Sequence, residues 1–569
     1  MGSTKNTDRQ SLKSPEEGEC EMRPNVGSGR FVRQFRQILL WPLQLVPPAQ
    51  GTQTRDGDLL AAVANGADSR WVEINNEFPD DASLLQEHAY REFVSFLPHV
   101  QRFLYGARGL QSGRSGCASP IRVFRRHDLE KVRITTVEGT SPLLFSVARV
   151  ELHFFCDVDV VILAVEIEAQ DLALKDVQEV MYRFGRAYPS GWTDTGQAWH
   201  CPERVEWLDP EGRVLATSDY EDREAYLSSV CRHQAPTIAA HWRFLLAPLG
   251  MDQNDMEGRL RCRLVEHNWI PIMAYLAVDD PLSLTANDHA RLGLVLPPGD
   301  PASAPYAAAF LQDFNQRYCY DRFHDPLRTG DWIDTRIMCC GHAFVMVGDA
   351  RQQVATDVER GLLAQFRHSF FLLGLIAHLH RAALLVLSDR LARSIGQLDT
   401  ERPQSVEDFQ SEIRRTLEVF LRFSHRYWFY EVTNLAVARD LFRLWSDHLA
   451  TTRLYGDVRE ELRDMTEYLD GDMLRRSSAT ILRLTVVAIL SLIGTATTGF
   501  LGMNLLDATE APLVTKAVYF GLVSVLAIAL TVYTIAKASR LAEFFDVLAD
   551  GRLYWRRKLK AFFEVWEKR

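Results

Sequence analysis

The side chains with most chemical promise lie toward the end of the sequence. Gly502-Met503-Asn504 closes an apolar run and ends in a carboxamide. Any tripeptide can arise by chance, so its setting carries the information. It is followed by a short segment holding Asp507 and Glu510, and preceded by an acidic stretch with Asp457, Glu460, Glu461, Asp464, Glu467, Asp470 and Asp472. Carboxylates gathered at the mouth of a helix bundle concentrate cations. Other clusters promise less. Cys339-Cys340 with His342 lacks a second ligand pair at zinc-site spacing, and its apolar flanks read as a buried strand. His368, His378 and His380 sit in an apolar segment where packing and capping are the better account.

No nucleotide-binding glycine loop, metalloprotease HExxH, EF-hand loop, GxSxG elbow or dinucleotide fingerprint occurs, and no spacing singles out a catalytic triad. Nothing in the sequence marks an enzyme. A net charge of −10 over 569 residues argues against a general nucleic-acid binder. Nine cysteines at irregular spacing are no disulfide scaffold and point to a reducing compartment.

The elements that would position the C-terminal groups are two apolar runs. Residues 484–505 and 517–536 carry no charge, and a span of about 20 such residues crosses a bilayer core of about 30 Å. Arg475, Arg476 and Arg483 precede the first; Lys537 and Arg540 follow the second. The positive-inside rule then places both termini in the cytoplasm and the connection, residues 505–516, outside. Residues 370–387 are also apolar, but His378, His380 and Arg381 interrupt them; this is expected to be a buried core helix. Leu454, Val458, Leu462, Met465 and Leu469 step by three or four, a stripe along one face of a stalk helix.

The sequence thus reads as an α+β membrane protein. Residues 1–30 are expected to be disordered, 31–300 to form a cytosolic α/β domain, and 301–480 to be a cytosolic helical region including the stalk. Residues 481–536 form the two-helix membrane domain and 537–569 an amphipathic cytosolic tail. Within the first domain, residues 143–169 predict two or three strands, residues 171–185 a helix, and residues 260–265 and 269–276 further strands. The first apolar cluster, Ile38 to Val46, is broken by Pro42.

This arrangement resembles the CorA family of divalent-cation transporters, including its ZntB branch, most specifically over residues 454–536. The resemblance implies a homopentamer in the inner or plasma membrane, a cytosolic funnel, and a pore lined by the first spans. Gly502, Met503 and Asn504 would form its outer mouth, and Thr495, Gly499, Leu492, Leu484 and Ile481 its lining. Asp507 and Glu510 would sit in the outer loop. The proline often found in the family near Ile493 is missing. No cofactor is required; Mg²⁺ is the favoured cargo, with Zn²⁺, Co²⁺ and Ni²⁺ as related ions. The same resemblance implies a regulatory cytosolic cation, for which Asp464, Glu467, Asp470 and Asp472 are candidates without fixing a site. Partners are thus the chain itself, the bilayer and divalent cations, with no nucleic acid. Two other functions fit the layout: a proton-linked Zn²⁺ transporter, and a membrane-tethered regulatory or scaffold protein that does not conduct.

Overall fold

A computed structural model describes residues 30–46, 70–74, 87–106, 120–252, 260–324, 334–399, 402–502 and 512–536. The chain divides into two compact units, one up to Leu462 and one from Arg463 onward. The expected N-terminal disorder (1–30) and the tail (537–569) lie outside the described residues, Arg30 excepted.

The first unit is organised by one mixed sheet. Its centre is built from β1 (Phe31–Val46), β2 (Leu143–Phe155), β3 (Val160–Ala173), β4 (Arg261–Leu264), β5 (Ile272–Val278), β6 (Thr335–Cys339) and β7 (Ala343–Asp349). From one side the order runs β6, β7, β5, β1, β3, β2. β5 and β7 are parallel, whereas β1, β2 and β3 pair antiparallel. Residues 143–169 therefore hold two strands, joined as a hairpin.

β1 and β3 read as long apolar runs because both of their faces are covered. Phe35, Leu39, Trp41 and Leu43 of β1 join Val161, Leu163, Val165 and Ile167 of β3 in one core. Helix α2 (Leu174–Arg183) adds Val177, Val180 and Met181 to it; a short helix α1 (Glu87–Val94) lies earlier in the chain. Alternate strand positions point to the opposite face. There α3 (Phe371–Gly396) packs across β1 and β3. Helices on both faces of a sheet make the expected α/β sandwich.

Three local expectations are revised. Pro42 does not break its segment: β1 runs through it and pairs with Ile162 of β3. Its other side faces the point where β1 exchanges β5, paired up to Leu39, for β4, paired from Leu43. The missing N–H falls in that gap in the ladder, where no strand asks for it. The helix expected from residue 171 begins only at Leu174, because β3 stays paired with β1 up to Ala173. Finally, the region from residue 301 is not wholly helical, since β6 and β7 extend the same sheet beyond that boundary.

The core-helix expectation for residues 370–387 agrees with the structure: α3 is buried along most of its length. His380 Nε2 donates to the Tyr427 carbonyl at 2.7 Å, and His378 meets the ring of Trp445 edge-on. His368 lies 3.2 Å from Glu92. Cys339 ends β6, Cys340 begins the tight turn to β7, and Gly341 between the strands has φ 87°. Among the described residues no three His, Cys, Asp or Glu side chains converge as metal ligands.

Candidate ion pathway

After α4 (Pro403–Arg426) and α5 (Ala436–His448), the chain enters α6, a single helix from Thr451 to Gly502. The acidic stalk and the first apolar run are thus one element. Its start is fixed within the first unit: Tyr455 stacks on Trp428 with centroids 4.5 Å apart, and its hydroxyl bonds Ser424 Oγ at 3.2 Å. Val458 and Leu462 of the expected stripe are buried, as is Leu469. After the connection comes α7 (Leu513–Ala536).

An uninterrupted helix fixes the phase of everything on it. At about 100° per residue, Ile481, Leu484, Leu492, Thr495, Gly499 and Gly502 fall within an arc of about 80°. They extend over about 32 Å, close to the roughly 30 Å of a bilayer core. Ile481 is 60% exposed and Leu492 66%. A Cβ added to Gly499 or Gly502 meets nothing within 4 Å. Along the apolar run most described positions are exposed and Thr497 is buried; Ile481, Leu492, Thr495, Gly499 and Gly502 thus share one open stripe.

Thr498, exposed and one turn on from Thr495, lies about 40° outside this arc and was not singled out in the sequence. The hydroxyls of Thr495 and Thr498 donate to the carbonyls of Ser491 and Gly494, at 2.9 and 2.8 Å. Their donors are thus satisfied inside the helix, while each oxygen keeps acceptor capacity.

The stalk carboxylates separate by phase. Asp470 shares the phase of the open stripe, Glu467 lies near its edge, and Asp464 lies about 120° from its centre. Arg463 bonds Glu467 at 2.8 Å, one turn away. Met503, Asn504, Asp507 and Glu510 lie outside the described residues.

Among the described residues, two helices are long and apolar enough to cross a membrane. One, Leu362–Gly396, is 83% buried over its most apolar window and includes the core helix α3. The other, Leu513–Tyr533, has none of that window buried and coincides with the second expected span. An exposed apolar surface of that extent needs lipid or protein to cover it.

No family model matches the chain, and no curated protein matches it. Among solved structures, the CorA magnesium transporter from Methanocaldococcus jannaschii aligns at 14% identity, covering 47% of this chain and 90% of that one, with a TM-score of 0.17. A likeness that weak carries no argument. The functional reading rests on the chain's own residues.

Proposed function

We propose that the chain is a divalent-cation channel or transporter of the inner or plasma membrane, with Mg²⁺ as the favoured cargo. The observation that carries this reading is the open stripe of α6, which spans a bilayer's thickness and leads into Gly502-Met503-Asn504. A single stripe encloses nothing. Five copies of α6 around an axis would close a pore, with α7 as an outer ring against lipid. Leu492, Leu484 and Ile481 would then form apolar rings able to gate by dewetting. Thr495 would offer oxygens to the ion's water shell. Mg²⁺ loses its waters reluctantly, so neutral amides from Asn504 at the mouth suit it better than a trap of carboxylates.

The test is flux of Mg²⁺ and Zn²⁺ into proteoliposomes, with the oligomeric state measured on the same preparation. Cation-selective flux that changes sharply in Asn504→Ala is expected. Pentameric protein that passes neither ion would overturn the proposal in favour of a non-conducting scaffold.

A further inference from the structure

The first unit contains two neighbouring pockets, inner and outer, that share Arg360 and that the transport reading does not use. The inner chamber has a volume of about 410 Å³, within the range of roughly 300–1,000 Å³ typical of small-molecule sites. Phe96, Phe323, Leu362, Phe370 and Leu373 supply apolar walls.

The outer chamber, about 590 Å³, is polar and shares Arg360 with the inner one. Arg91, Arg367 and His368 line it with Glu87 and Glu359. The arginines converge on one carboxylate: Glu87 Oε1 accepts from Arg91, and Glu87 Oε2 from Arg360 at 3.1 Å. Hydrogen bonding to Arg91, then the charge of Arg360, holds the Glu87 carboxyl below its ordinary range. Arg360 is presented by a turn in which Asp357 accepts the backbone N–H groups of Glu359 and Arg360, at 2.8 and 3.0 Å. Arg360 and Glu87 are 62% and 63% exposed, and a pair so open to water holds weakly. Arg360, at the rim of the apolar chamber, and Arg91, which lines the polar one, thus grip a carboxylate that a ligand's anion can displace.

We propose that these two pockets together bind a single-chain amphiphile with an anionic head. The acyl chain fills the inner chamber, and a carboxylate or phosphate replaces Glu87 between Arg91 and Arg360. This inference stands whether or not the chain conducts ions.

Binding of decanoate, decyl phosphate and decanol to the full chain in peptidiscs tests it, with protein-free peptidiscs as the blank. Both anions should bind about tenfold more tightly than the alcohol, and Arg360→Gln should erase that margin. Glu87→Gln should tighten both anions severalfold, because it removes the internal competitor while a merely structural Glu87 would leave affinity unchanged or lower. Leu373→Trp fills the inner chamber and should abolish binding of all probes; if it does not fold, Val437→Phe probes the same wall. Preference between the two anions assigns the head group. Equal affinity for alcohol and anions, or a Glu87→Gln variant that binds no more tightly, overturns the proposal.

Discussion

Glu166 is fully buried on β3 and faces three guanidiniums. Arg36 and Arg367 approach one carboxylate oxygen at 2.9 and 2.8 Å, and Arg149 reaches the other at 2.7 Å. Burial alone would raise its pKa, but Arg149, Arg367 and Arg36 outweigh that and hold it low. Glu166→Gln should therefore destabilise the first unit by about 3–5 kcal/mol, since it strands buried cations; urea unfolding followed by tryptophan fluorescence measures this. Gly374 is constrained by space, because a Cβ there would lie 2.5 Å from the Trp445 ring. Gly374→Ala should cost about 1–3 kcal/mol in the same assay. Buried histidines set a pH dependence. Burial lowers the pKa of His378 and His241 to about 3 and of His380 to about 4. Unfolded, each takes a proton near its ordinary value of about 6.5, so their contribution is full above that pH and is lost as pH falls toward the folded values. Unfolding midpoints should drop between pH 7 and pH 5, and His378→Leu should make that drop shallower.

At the scale of the element, α6 joins stalk and apolar run in one helical phase. One alanine inserted after Gly471 turns everything beyond it by about 100° relative to the stalk. Flux in proteoliposomes should be lost, and a four-residue insertion, which returns the phase to within about 40°, should recover part of it. Equal flux from both insertions would show that the phase between stalk and stripe is immaterial. Thr495→Val removes the stripe's hydroxyl at nearly constant shape and should lower cation flux without altering assembly. The regular spacing of Leu454 to Leu469 made the stalk stripe legible in sequence.

At the scale of the molecule, the compact unit ending at Leu462 closes its own sheet and cores. A fragment stopped there should be soluble after cell fractionation, while the full chain pellets with membranes because α7 exposes its apolar surface. A fragment that pellets as the full chain does would place membrane affinity in the first unit.

What the sequence determined by itself was whatever repeats locally: the strand character of residues 143–169, the buried character of α3, the stalk stripe, and an apolar α7. Side-chain periods of two and 3.6 need no knowledge of partners. Tertiary structure alone decided the rest. Pro42 is tolerated because β4 and β5 meet opposite it, over two hundred residues away. The ion cluster gathers residues 36, 149, 166 and 367, and the outer pocket places Glu87 against Arg360. Such convergence leaves no periodic trace, because it depends on which distant strands and turns the sheet brings side by side.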